Sequence, residues 1–272
     1  MGKACSSGNP FAVCVNNELI EWVFDPEDSP FAFLLGEPGA GKTWASLILA
    51  SDLVKRIDNK EHGVPVPIIF DMGMAVASKH NLFGESVPSL EDFLETISFN
   101  SKNVGEKPWT SREIIEAVQE HGSLLILDGL DKLLAHQKDG SWGRELVRRI
   151  CGVLPLGSWH PNSKKTGKKG KVLLTCRTNF FKSAYQQRDW LFSEQMENIR
   201  GWETKLFNEK QIADLIELSL ENKDAKKMFG VIESIDGLAD IASRPGLLRL
   251  LVNYHAPKGT WLPWQREGSS PD

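Results

Sequence analysis

The stretch Phe31-Ala32-Phe33-Leu34-Leu35-Gly36-Glu37-Pro38-Gly39-Ala40-Gly41-Lys42-Thr43 decides how this chain is read. Its first five residues form a continuous apolar run of strand length. The next eight fit the pattern G-x-x-x-x-G-K-S/T, and an apolar-rich helical pattern over 41–56 follows at once. Strand, glycine turn and helix in that order form the setting in which the pattern cradles phosphate. The glycines let consecutive backbone N–H groups turn inward, and the helix N-terminus adds the positive end of its dipole. A lysine at Lys42 reaches the β- and γ-phosphates, and the Thr43 hydroxyl is a hard oxygen suited to Mg2+. The expected nucleotide-binding residues are therefore Gly36, Glu37, Pro38, Gly39, Ala40, Gly41, Lys42, Thr43 and Trp44, with Thr43 also a metal ligand.

Outward from this loop, three more short apolar runs occur at 66–70, 124–127 and 172–175. Uninterrupted apolar runs, without in–out alternation, are the mark of strands covered on both faces, as in parallel sheets. Helical patterns fall between them at 88–98, 111–120 and 142–152. The alternation predicts an α/β fold: a mostly parallel sheet sandwiched by helices, with the phosphate loop after its first strand. After residue 207 the character changes. Asn208 stands three residues before Gln211, a capping-box spacing, and the periodic Ile212, Leu215, Ile216 and Leu220 follow. Further helical patterns at 224–235 and 237–254 complete a small all-helical region. The expected organisation is an N-terminal extension over 1–25, a nucleotide-binding core over 26–207, a helical domain over 208–258 and a tail over 259–272.

Two further strands end in polar residues at the edge where open α/β sheets bind ligands. Leu124-Leu125-Ile126-Leu127 delivers Asp128 and, three residues on, Asp131. Beside a phosphate loop, Asp128 is the expected Mg2+ carboxylate, and Asp131 is the expected catalytic residue, polarising the attacking water. Val172-Leu173-Leu174-Thr175-Cys176-Arg177 places a guanidinium at the same edge, where it can match phosphate oxygens bidentately and tell a triphosphate from a diphosphate.

Composition narrows the classes. The 272 residues carry 32 Lys and Arg against 36 Asp and Glu, a formal charge of -4, which argues against non-specific wrapping of nucleic acid. With 41% hydrophobic and 25% charged residues the chain is globular, and no apolar run approaches the roughly 18 residues of a membrane helix. Four cysteines, Cys5, Cys14, Cys151 and Cys176, make neither a disulfide framework nor a zinc pattern, and point to reduced thiols in a cytoplasmic protein. Met1-Gly2-Lys3-Ala4-Cys5-Ser6 fits the loose myristoylation pattern, although an unmodified terminus is the favoured reading. The segment from Ser163 to Lys171 holds five lysines and reads as a solvated loop. Trp22, Trp109 and Trp190 read as packing residues, and Trp261 and Trp264 as surface for a further domain.

The three motifs together resemble the NACHT branch of the STAND NTPases, signalling ATPases related to AAA+ proteins. Gly36 to Thr43 is similar to that family's phosphate loop, Leu124 to Asp131 to its acidic strand, and Leu173 to Thr178 to its sensor strand. The resemblance spans roughly residues 30–255. It implies ATP or ADP with Mg2+ as ligands, Asp131 as catalytic acid, Arg177 as γ-phosphate sensor, and Pro245, in the helical run Ala242 to Leu250, as a residue touching the nucleotide. Two positions depart from the family: Lys132 stands where an acid is usual, and Trp44 where a small residue is usual. It further implies that winged-helix, sensor and effector domains lie outside this chain, that the ATP state self-associates, and that the setting is immune or antiviral defence.

The function expected is a slowly hydrolysing, ATP-binding regulatory switch that requires no nucleic acid. The alternatives are an AAA+-type motor, which needs an arginine from a neighbouring subunit with Arg148 and Arg149 as positional candidates, and a small-molecule kinase. GTP is disfavoured because the chain has no N-K-x-D string; Asn59-Lys60-Glu61-His62 ends in the wrong residue.

Overall fold

A computed structural model describes residues 14–73, 86–101, 107–135, 140–154, 170–178 and 199–255. These fall into two compact units. Of these residues, the first unit holds 14–36 and those described between 42 and 203; the second gathers 37–41 with 204–255.

The first unit is built on five strands: β1 (Phe31–Gly36), β2 (Pro67–Asp71), β3 (Leu124–Asp128), β4 (Lys171–Arg177) and β5 (Ile199–Thr204). Their spatial order is β2-β3-β4-β1-β5, and the pairs β2/β3, β3/β4 and β4/β1 are parallel. Every residue of β1 and β3 is buried, which is why both read as unbroken apolar runs. Successive side chains still point to opposite faces. Phe31, Phe33 and Leu35 join Leu125, Leu127 and Leu174 in one core, while Ala32 and Leu34 join Leu124, Ile126 and Leu173 in the other. The edge strand β2 alternates, and its Pro67 occupies the first position, where a missing N–H is tolerated. The chain thus has an α/β sheet covered on both faces, with the phosphate loop leaving β1 and the helix α2 (Lys42–Asp58) following it.

Two elements depart from the sequence expectation. Residues 15–24, for which the sequence suggests no element, form helix α1 (Val15–Phe24). Leu19, Trp22 and Val23, spaced i, i+3 and i+4, bury against the second core, and the Trp22 indole N–H donates to the Ser29 carbonyl at 2.6 Å. Strand β5 was not expected either. Its sequence Ile199-Arg200-Gly201-Trp202-Glu203-Thr204 has no buried residue and therefore no apolar run to betray it.

Between β2 and β4, besides β3 and a 3-10 turn at Cys151–Val153, the described residues include α3 (Leu90–Ser101), α4 (Ser111–Gln119), the short α5 (Leu130–Leu134) and α6 (Gly140–Ile150). Helix α4 starts on a full capping box of Thr110 and Glu113. On α6, Arg148 and Arg149 both bond the Glu145 carboxylate, and Arg149 also donates to the Val87 and Pro88 carbonyls at 2.7 and 2.8 Å. Of the two positional candidates for a trans-acting arginine, Arg149 is committed to bracing its own unit.

The second unit is helical: α7 (Glu209–Ser219), α8 (Asn222–Ser234), α9 (Leu238–Ala242) and α10 (Pro245–His255). The Asn208–Gln211 capping box opens α7. Ile216, Leu220, Met228, Ala242, Leu248 and Val252 form its core. The single run expected over 237–254 is two helices, because Pro245 cannot continue α9 but suits the first turn of α10. Among the described residues no helix is long and apolar enough to cross a membrane.

Candidate functional site

Parallel register carries the polar strand ends to one edge of the first unit. Gly36 pairs with Arg177 and Asp71 with Asp128, so the loop, the sensor strand and the acidic strand finish side by side. Strand β4 lies between β1 and β3, which places Thr175 within reach of Asp128.

The buried Asp128 carboxylate is held from both sides. Thr175 Oγ1 donates to its Oδ1 at 2.7 Å, and Thr43 Oγ1, from the first turn of α2, donates to its Oδ2 at 2.8 Å. Thr175 Oγ1 in turn accepts from the Gly129 N–H at 2.9 Å, fixing the turn that leads to Asp131. Gly129 sits at φ +88°, a left-handed backbone that favours glycine, so α5 can begin immediately after β3. Asp131, also buried, accepts from the Arg177 N–H at Oδ1 (3.1 Å) and pairs with Arg177 Nε at Oδ2 (2.9 Å). Lys42 Nζ donates to the Gly36 carbonyl at 2.8 Å. Burial lowers the Lys42 ammonium below the ordinary lysine range, against the opposing pull of Asp131; the nearby Arg177 adds to the lowering. A polyanion beside Lys42 and Arg177 relieves both effects.

Sequence reasoning missed four residues of this site. Thr175 was read only as part of its strand, Asp71 and Gly73 were assigned no role, and Lys132 was singled out only as standing where the family has an acid. Lys132 Nζ bonds Asp71 Oδ1 at 2.7 Å and stands 4.0 Å from Asp128 Oδ2. Thr175 carried a usable signal, a hydroxyl closing an otherwise apolar strand. Asp71 carried none, since only the β2/β3 register brings it beside Asp128.

The remaining loop residues belong to the second unit. Gly39 and Gly41 adopt φ +78° and +92°, as the glycine pattern requires. Arg244 bonds the Pro38 carbonyl at 2.9 Å and pairs with Glu37 at 2.8 Å, and the Gly246 N–H donates to the Gly39 carbonyl at 3.1 Å. Pro245 heads α10, its Cγ 3.9 Å from where a Cβ on Gly41 would stand. Ala40 is buried and Trp44 is exposed.

These residues suit a nucleotide with Mg2+. Mg2+ is usually held by one or two protein oxygens together with phosphate and water, not by an all-protein cage. Thr43 and Asp128 present such a pair, while among the described residues no three His, Cys, Asp or Glu are arranged to hold a metal ion by themselves. A separate cleft of about 540 Å³ opens at the amino ends of β2 and β3, lined by Val66, Ile68, Trp109, Ala117 and His121. It is at the opposite strand ends from these groups. Trp109, expected to be a packing residue, is exposed there.

Several sequence expectations fall outside the described residues: the myristoylation pattern at 1–6, Trp190, Trp261, Trp264, the tail over 259–272 and most of the lysine-rich segment. Lys171, the last of those lysines, is described and is not solvated. It is buried, and its Nζ bonds the carbonyls of Trp22 and Asp25.

No family model matches the sequence, and no curated protein matches it. Among solved structures the fold is similar to a Walker-type ATPase of Pyrococcus abyssi (14% identity, TM-score 0.47, covering 88% of this chain and 66% of that one). It is similar also to the ORC2 protein of Aeropyrum pernix in its ADP form (14% identity, TM-score 0.46, 88% and 65% covered). A third is a STAND protein with a tetratricopeptide repeat sensor from Pyrococcus horikoshii (14% identity, TM-score 0.35, 92% and 31% covered). The chain spans between 31% and 66% of the length of these three proteins. The parallel sheet, the loop between β1 and α2, and the helices on both faces make this a P-loop NTPase fold.

Proposed function

We propose that the chain is the ATP-binding, slowly hydrolysing module of a NACHT-type STAND switch that controls self-association, with defence signalling as its setting. The observation that carries this reading is the Asp131–Arg177 pair beside Lys42 and the Thr43–Asp128 oxygens. In this reading the loop N–H groups and Lys42 bind the phosphates, Arg177 senses the γ-phosphate, and Pro245 contacts the nucleotide. Thr43 and Asp128 hold Mg2+, which neutralises phosphate charge when bound. Asp131 accepts the proton of the attacking water, but only once Arg177 has exchanged the carboxylate for phosphate oxygens. An acid tied up at both oxygens until the triphosphate arrives suits a slow switch better than a motor. Of the two candidates for the trans arginine a motor needs, Arg149 braces its own unit, which leaves Arg148 alone.

The test is turnover and particle size measured together, with ATP and with ADP, on wild type and on Lys42→Ala. Slow turnover with ATP-dependent assembly is expected. Lys42→Ala should bind neither nucleotide, because no other full charge replaces the lysine at the β/γ-phosphates. Fast turnover without assembly would favour the motor or kinase readings. Unchanged affinity in Lys42→Ala would overturn the phosphate-loop assignment.

A further inference from the structure

Lys132 is placed with more care than a surface lysine needs. Its stem passes between two glycines. A Cβ on Gly73 would stand 2.6 Å from Lys132 Cδ, and one on Gly129 would stand 2.8 Å from its Cε. Gly129 needs glycine for its own backbone, but Gly73 has no left-handed φ, so at Gly73 the room serves the lysine stem. The stem ends with Nζ on Asp71 Oδ1, a carboxylate also fixed by the Gly73 N–H at 2.8 Å. Nζ lies 4.0 Å from Asp128 Oδ2, the same oxygen that accepts from Thr43. An exposed Lys–Asp pair held for stability alone would gain little from such a channel.

The charges at this edge explain the placement. Asp71, Asp128 and Asp131 face Lys42, Arg177 and Lys132, three anionic groups against three cationic ones. Without Lys132 the set is net negative and opposes a polyphosphate, the repulsion a divalent cation ordinarily cancels. We propose that Lys132 is a resident cation of the phosphate site, which lets it hold a nucleotide without Mg2+ and reduces what the metal adds to binding. The proposal rests on the nucleotide-binding reading above and adds a residue that determines metal dependence.

The test is the affinity of ATP and ADP, measured by calorimetry in excess Mg2+ and in EDTA. Lys132→Met keeps the stem and removes the charge. Its metal-free affinity should fall about tenfold and its Mg2+-bound affinity by less than about threefold, so that the advantage conferred by Mg2+ grows. Lys132→Arg, which restores the charge, should recover most of the metal-free affinity. Gly73→Ala should shift binding in the same direction as Lys132→Met, because the new methyl would stand 2.6 Å from Lys132 Cδ and 3.1 Å from Asp71 Oδ1, displacing the end of the lysine side chain from its partner carboxylate. Equal losses in both conditions, or none, would overturn the proposal. Wild type that binds nucleotide in neither condition would overturn the site reading and this inference together. Lys42→Ala separates the two, since it should lose binding with and without metal.

Discussion

Asp131 is held at both oxygens by one residue, the backbone N–H and the guanidinium of Arg177, whereas Asp128 is shared between Thr43 and Thr175. The two carboxylates should therefore fail differently. Asp131→Asn removes the proton acceptor but keeps size and a hydrogen-bonding face, so turnover should fall by about one to three orders of magnitude while ATP affinity holds within a few-fold. Asp128→Asn should damage Mg2+-dependent binding and turnover together. Steady-state kinetics beside equilibrium binding separates the cases, and wild-type turnover in Asp131→Asn would place the base elsewhere. At this scale the motif residues were legible because each sits in a short string whose chemistry demands it. Asp71, Thr175 and the packing of Lys132 were not, because they acquire meaning only when β2 and β4 are laid beside β3.

Among the elements, the four strands with continuous apolar runs were legible; in β1, β3 and β4 burial on both faces writes itself directly into composition, while β2 is apolar but alternates in burial at the sheet edge. Strand β5 and helix α1 were not: β5 buries nothing fully, and α1 lies in a segment with Cys14 before it and no side-chain cap to announce its start. What secures α1 comes from far along the chain. Lys171, at the start of β4, bonds the carbonyls of Trp22 and Asp25 at the helix's end. Burial depresses its amine to about 8 from the ordinary 10.5, with Asp28 opposing the shift. The folded state therefore disfavours the proton that the unfolded chain keeps, and the contribution of Lys171 improves as pH rises from about 8 to about 10.5. The thermal midpoint of wild type relative to Lys171→Met should accordingly be higher at pH 10 than at pH 7. A difference independent of pH would show that the amine is not held by burial.

On the scale of the whole molecule, the first unit has one core on each face of its sheet and the second unit has its own. The change from strand–helix alternation to helices alone after residue 207 was legible; the assignment of Glu37–Gly41 to the helical unit was not, because local sequence attaches that segment to β1. Leu248 is fully buried in the helical core, and Leu248→Ala should cost about 2–5 kcal/mol there. In hydrogen exchange, amides of α7, α8 and α10 should lose protection while those of β3 and β4 keep theirs. Parallel loss in the sheet would mean that the two units unfold as one.

Among the described residues the chain enters the helical unit twice, for the five residues Glu37–Gly41 and again from Thr204 onward. The partners of Pro38 and Gly39 in that unit, Arg244 and Gly246, arrive only with the second entry. A recombinant fragment ending at Glu203 would thus carry every motif letter of the phosphate loop and still lack the hydrogen bonds that shape its backbone. For gene fusion or domain exchange, the transferable block is not the sheet with its signature string, but the sheet together with the helices that hold the string's glycines.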